Sequence, residues 1–166
     1  ANELGAELVN FRPYQNGKKV GLNASEMITS NNIKGMILFN TEIEYDSRNP
    51  SIALSQLHNA KTVVVFTSYI NDNMLKYADV ILPISTSFET HGSFVNMSGN
   101  IQYFNAVTTP FKESKPAWKV LRVLANHLIN NDFEYATIES VREEMRELIN
   151  KNIELLNNLM PSNLDK

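Results

Sequence analysis

The chain has 166 residues, 43% hydrophobic and 20% charged, with a formal net charge of −3. That balance suits a globular domain with its own core and excludes a nucleic-acid binder, which would show a basic face. There is no cysteine, so a disulfide framework, a thiolate zinc site and a cysteine-held iron–sulfur cluster are excluded within these residues. Apolar runs such as Val63–Phe66 fall far short of the roughly 20 residues that cross a bilayer, so no direct membrane insertion is expected.

Residues 1–22 are punctuated by Gly5, Pro13 and Gly17 and show no sustained period, which predicts an irregular lead-in. The opening Ala1-Asn2-Glu3-Leu4 carries no initiator Met, and a piece cut from a longer chain is expected. Asn23 is placed to cap a short helix through Ile28. Gly35–Phe39 reads as a strand apolar on both faces, as parallel sheets require. Its exit, Asn40 to Asn49, carries Glu42, Glu44 and Asp46. Asn49-Pro50 predicts a helix start, with Ile52, Ala53, Leu57 and Ala60 on one apolar face. Thr62–Phe66 is a second, β-branched strand. Asp72–Tyr77 predicts a brief helix with Met74 and Leu75 turned inward, and Val80–Leu82 is a third strand halted by Pro83. Strand, helix, strand, helix, strand predicts a parallel sheet with right-handed crossovers.

Beyond that point the pattern changes. Phe94–Asn96 and Ile101–Phe104 flank Met97-Ser98-Gly99-Asn100, a hairpin turning at Gly99. Pro116 opens a helix with Ala117, Leu121, Leu124 and Leu128 at helical spacing, and Trp118 beside that stripe. A last helix runs from about Ile138 to Met160. Ile138, Val141, Met145, Leu148, Ile149, Leu156 and Leu159 form its stripe, with Arg142, Glu143, Glu147 and Lys151 outside. A stripe of that length must bury against something.

Ligands of α/β sheets gather beyond the carboxyl ends of the strands, where the loop from Pro83 to Gln102 falls. It holds Glu89, His91, Asn96 and Gln102. A carboxylate, an imidazole and two amides can hold a polar ligand; the same groups can equally satisfy backbone donors and acceptors in an irregular loop. His58, His91 and His127 are never paired at a ligand spacing, so no metal site is expected. Carboxylate oxygens at Glu42, Glu44 and Asp46 suit Mg²⁺ or Ca²⁺, but no loop pattern accompanies them, and a solvated edge or subunit contact is the expectation. The strand exits Phe39-Asn40-Thr41-Glu42, Thr67-Ser68-Tyr69 and Pro83-Ile84-Ser85 contain no glycine-rich turn, which argues against a phosphate cradle. No Gly-x-Ser-x-Gly elbow and no Ser with a local His/Asp pattern occurs, so no catalytic residue is expected.

Ala78-Asp79-Val80-Ile81-Leu82-Pro83, Glu89-Thr90-His91-Gly92-Ser93-Phe94-Val95-Asn96 and Gly99-Asn100-Ile101-Gln102 together resemble the molybdopterin-oxidoreductase superfamily. Within it they resemble the large iron–sulfur subunit of bacterial NADH:quinone oxidoreductase (respiratory complex I). Lys115-Pro116-Ala117-Trp118 through Asn126, the acidic exit Asn40–Asp46, and Gly21-Leu22-Asn23-Ala24 with Met27 are similar to the same branch.

The resemblance implies an α/β, three-layer Rossmann-like domain with a short parallel sheet, a β-hairpin and C-terminal helices. It would occupy residues 23–130, after a lead-in of 1–22 and before a helical extension of 131–166. It further implies a scaffold role in the peripheral arm of complex I, with iron–sulfur clusters in the parent subunit but outside this region. The partners would be other domains of that subunit and neighbouring subunits, on the cytoplasmic side of the inner membrane. Glu89, His91, Gly92, Asn96 and Gln102 would then be the remnant of a cofactor pocket, with no molybdopterin expected. Two departures favour that branch. Ser98-Gly99-Asn100 stands where the family hairpin usually reads Glu-Gly-Arg, and the Gly-x-Asn-Pro exit of many molybdenum enzymes is missing. The alternative is a dinucleotide-clamping domain of a molybdenum or tungsten pterin oxidoreductase such as a formate dehydrogenase, with contacts at Asn96, Gln102 and residues 38–42. A free-standing nucleotide-binding module is a third reading, disfavoured by the missing Met and the long final stripe.

Overall fold

Local sequence chemistry accounts for most of the element order in the computed structural model, which describes residues 2–15, 18–19, 21–129 and 133–159. In chain order the elements are α1 (Glu3–Leu8), β1 (Tyr14–Gln15), β2 (Lys18–Lys19), α2 (Ala24–Thr29), β3 (Gly35–Phe39), α3 (Ile43–Asp46) and α4 (Pro50–Asn59). There follow β4 (Thr62–Thr67), α5 (Met74–Tyr77), β5 (Val80–Pro83), a 3₁₀ turn (Ser87–Glu89), β6 (Gly92–Val95), β7 (Ile101–Phe104), α6 (Ala117–Ile129) and α7 (Ile138–Leu159). The chain is α/β, with a short parallel three-stranded sheet, an antiparallel hairpin and C-terminal helices. It divides into two units, neither continuous in sequence: Leu22–His91 with Asn105–Asn131, and Ala1–Gly21 with Gly92–Phe104 and Asp132–Lys166.

The first unit is the sheet, in the order β3-β4-β5. Asn23 caps α2 as expected. Its side chain accepts from the Glu26 N–H (2.9 Å) while Glu26 accepts from the Asn23 N–H (3.0 Å), so two orphan donors are satisfied at once. Pro50 stands in the first turn of α4, but the Asn49 side chain makes no cap bond. The core gathers Leu38, Val63 and Val65 from the strands with Ala53 and Leu57 of α4 and Met74 and Tyr77 of α5.

Register places Ile37, Val64 and Val80 in one row and Phe39, Phe66 and Leu82 in the next, on the opposite face from that core. The expectation that Gly35–Phe39 is buried on both faces is corrected here: Ile37 is 56% exposed, Phe39 44% and Val80 44%. Side chains alternate across a strand, and the α2–α5 side covers only one face. Leu75 is also exposed, as is Ile52. In a single turn, Met74 and Tyr77 at i and i+3 share a side, and Leu75 between them points away. On α6, Leu121 and Leu128 are exposed, while Val120 and Leu124 line a groove beside Leu82. Apolar residues encircle this helix, so spacing alone does not select the buried side.

The second unit corrects the irregular lead-in: residues 3–8 form α1, and β1 pairs with β2 antiparallel. A six-residue helix is too short to display a period. The long α7 finds its partners here. Asn152 of α7 donates to the Leu8 carbonyl (2.7 Å) and accepts from Asn10 (3.2 Å), and Ile149 is buried. Arg142 donates to the carbonyls of Gly92 (3.4 Å) and Phe104 (3.1 Å), with its guanidinium 5.0 Å from the Tyr103 ring. The hairpin turns at Gly99, whose φ of +80° favours glycine. The stripe positions Leu156, Leu159 and Met160 lie outside the described side chains.

Candidate functional site

The carboxyl ends of the three parallel strands open on the same side of the sheet, and each exit is tied by its own polar groups. After β3, Asn40 turns with φ +50° and donates its N–H to the Phe66 carbonyl (2.7 Å). The acidic exit then folds back as α3. Asp46 accepts from the Glu42 N–H (2.8 Å), Glu42 accepts from the Asn71 amide beyond β4 (2.8 Å), and Glu44 accepts from the Tyr77 hydroxyl (3.4 Å). Burial, reinforced by Glu44 and Glu42, pushes the Tyr77 phenol up to about 12. These carboxylates therefore brace the loops at the sheet end, a role additional to the solvated edge expected of them. Among the described residues, no three His, Asp or Glu side chains converge as metal ligands.

After β4, the Thr67 hydroxyl accepts from the Tyr69 N–H and donates to the Tyr69 carbonyl. After β5, Ile84 bridges to Lys115, and the 3₁₀ turn is closed by a capping box in which Glu89 accepts from the Thr86 N–H (2.9 Å). Beyond β4 and β5 lies a cavity of about 490 Å³. Ser68, Tyr69, Thr86, Glu89 and Pro83 line it, together with the segment Phe111–Ser114. Lys112 stands 5.1 Å over the Phe111 ring, at φ +46°. The cavity therefore offers hydroxyls, two carboxylates (Glu89 and Glu113) and one ammonium.

Of the five predicted pocket residues, Glu89 alone is among the walls of this cavity. His91, in the same unit, receives the Ala106 N–H on Nδ1 (3.4 Å), a nitrogen that also lies 3.2 Å from Asn105 Oδ1. Gly92, Asn96 and Gln102 belong to the other unit. Asn96 accepts from the N–H groups of Ser98 (3.0 Å) and Asn100 (2.9 Å) and so holds the hairpin turn. Gln102 is exposed, opposite Phe94 in the ladder. At Gly92 a side chain would run into the Phe104 ring. Sequence reasoning missed Ser68, Tyr69, Thr86 and the 111–114 segment. Adjacency of the second and third strand exits could have pointed to the first three; nothing local marks the last.

Residues 1–127 match the family model of molybdopterin oxidoreductase. The chain is 29% identical over 151 residues, 89% of its length, to a formate dehydrogenase-like protein of Staphylococcus aureus, of which it covers 15%. It is 30% identical over 131 residues, 76% of its length, to the assimilatory nitrate reductase catalytic subunit of Bacillus subtilis, of which it covers 18%. It is 36% identical over 85 residues, 51% of its length, to the mitochondrial NADH-ubiquinone oxidoreductase 78 kDa subunit of Candida albicans, of which it covers 12%. The chain thus spans less than a fifth of each of these relatives. With most of its length matched by that model, it belongs to the molybdopterin oxidoreductase family.

Proposed function

We propose that this region is a structural domain of a respiratory NADH:quinone oxidoreductase, holding neighbouring parts of the peripheral arm in place. Electrons would pass through iron–sulfur clusters elsewhere in the parent subunit, and these residues would hold neither cofactor nor metal and perform no catalytic step. The observation that carries the reading is the local use of the pocket's polar groups. Glu89 caps a 3₁₀ turn, His91 takes the Ala106 N–H, and Asn96 holds the hairpin turn. Each of these groups thus has a structural role that needs no ligand. The likeness to the Candida albicans subunit supports it too. Partners would be other domains of the same subunit and adjoining subunits, at the cytoplasmic side of the inner membrane. Among the described residues no helix is long and apolar enough to cross a membrane.

A second reading, a dinucleotide-clamping domain of a molybdenum or tungsten pterin enzyme, is favoured by the strand-end cavity and by the broader matches to formate dehydrogenase-like and nitrate reductase proteins. The donor set fits a pyrophosphate poorly. Two carboxylates face one ammonium, and no glycine-rich turn brings backbone N–H groups to the cavity. Titrating the chain with GMP while following backbone amides by NMR separates the two. The scaffold reading expects Ser68, Tyr69, Thr86 and Lys112 to stay unmoved, whereas saturable shifts at those four would replace it with the clamp.

A further inference from the structure

Along α4, Ser51, Ser55 and Asn59 recur at i, i+4 and i+8 and so share one face of the helix. α2 packs against α4, and between them, within the first unit, lies a groove of about 430 Å³. To its walls α4 gives that row together with Ile52 and Gln56, while α2 and the turn after it give Ile28, Thr29 and Asn31. No charged side chain is among these described walls.

Gln56 stands out as the one buried side chain among them, at 9% exposure. Among the described residues, none donates to its carboxamide or accepts from it. Buried polar side chains are nearly always hydrogen-bonded, so this amide carries an unmet demand into a groove that reaches solvent. Ser51 and Ser55 likewise have no partner among the described residues. The Thr29 hydroxyl, by contrast, is already turned to the Ser25 carbonyl (2.9 Å).

The chemistry of the walls narrows what can meet that demand. With no counter-ion at hand, a charged ligand would lose its hydration and gain no partner. A carboxamide sets an N–H donor beside a C=O acceptor in one plane. It therefore forms two parallel bonds with a ligand edge that carries the same two groups, as Gln does with the edge of a base. The serine hydroxyls rotate to donate or accept, and Ile28 and Ile52 offer aliphatic contact to a ring. The volume of about 430 Å³ falls within the roughly 300–1,000 Å³ of small-ligand sites.

We propose that the α2–α4 groove binds a small neutral ligand with a planar amide edge, adjacent N–H and C=O, paired to Gln56 and flanked by Ser51 and Ser55. None of its walls belongs to the strand-end cavity. The inference therefore goes beyond the proposed function and holds whichever reading of that cavity stands.

The test follows the Gln56 side-chain NH₂ by heteronuclear NMR in the 166-residue chain, its fold checked by amide dispersion. Uracil and benzamide, two neutral probes with that edge, should each shift it saturably, together with the Ser51 and Ser55 amides. N,N′-dimethyluracil keeps the ring without an N–H, and orotate adds a carboxylate. Both should bind about tenfold more weakly than uracil, the loss expected from one or two hydrogen bonds. Gln56→Met keeps the bulk, removes the amide and should abolish the response at Ser51 and Ser55. Ser55→Ala, at an exposed position, should weaken uracil binding about threefold, and it decides the matter if the Met variant does not fold. The proposal is overturned if neither probe gives a saturable shift, which leaves the amide to water. It is equally overturned if glucose moves Gln56 as strongly as uracil, if N,N′-dimethyluracil binds as tightly, or if folded Gln56→Met or Ser55→Ala binds uracil like the wild type.

Discussion

Asp79 extends the β4–β5 ladder by one position beyond the strand itself. The first paired residues are Val64 and Val80. One step earlier, the Asp79 N–H donates to the Val63 carbonyl (2.9 Å), and the Asp79 carboxylate accepts from the Val63 N–H (2.7 Å). Val63 is 1% exposed, so its N–H has no easy recourse to water. Asp79→Ala leaves that donor orphaned, at a cost of roughly 1.5–3 kcal/mol for a bond to a charged acceptor. Asp79→Asn keeps an acceptor oxygen and loses the charge, for roughly half that cost. With a urea m-value of about 2 kcal/mol/M for a chain of this size, the midpoint should fall by about 1 M for Ala and about 0.5 M for Asn. Urea unfolding followed by circular dichroism gives the midpoints, and hydrogen exchange at the Val63 amide reports the bond itself. Undiminished Val63 protection in Asp79→Ala, or an Ala midpoint within about 0.2 M of the wild type, would refute the reasoning.

Tyr77 ionises at its usual 10 when unfolded and at about 12 when folded. Above pH 10 the unfolded chain therefore binds fewer protons. The contribution is complete below pH 10 and is lost as pH rises through about 12. Tyr77→Phe should remove this slope, so urea midpoints of wild type and variant should diverge between those limits; parallel curves would contradict the buried phenol. Glu89→Ala should cost about 1 kcal/mol through loss of the capping box, read as faster exchange of the Thr86 amide, while Glu89→Gln retains most of the protection. Gly92→Ala should destabilise the hairpin unit by roughly 1–3 kcal/mol because the added methyl collides with the Phe104 ring. That ring stacks on Phe94 at 5.3 Å and so has a partner to lose. A melting curve matching the wild type, with unchanged amide shifts at Gly92–Phe104, would contradict it.

Local chemistry explains which parts of this architecture could be read in advance. The β-branched run at Thr62–Thr67, the reciprocal cap at Asn23 and the positive φ at Gly99 each depend on residues within a few positions of one another. Their elements appear where the sequence places them. The apolar stripe of α7 was equally legible, but its partners were not, because α1 is too short to show a period and lies far away along the chain. The candidate site divides in the same way. Glu89 stands out as a charged residue just past a strand end, yet its bond to the Thr86 N–H makes it a capping group as well as a wall of the cavity. The remaining walls come from the β4 exit and the 111–114 segment, which parallel pairing and the Ile84–Lys115 bridge bring to one place.

By itself, then, the sequence determined the longer elements from α2 onward, their order, the parallel sheet and the family, since these follow from near-neighbour propensities and contiguous motifs; the short α1, β1, β2 and α3 escaped it. Only the tertiary structure decided which face of each strand and helix is covered and which polar side chains serve the backbone. Those outcomes depend on which distant surface arrives to exclude water, and no spacing along the chain encodes that.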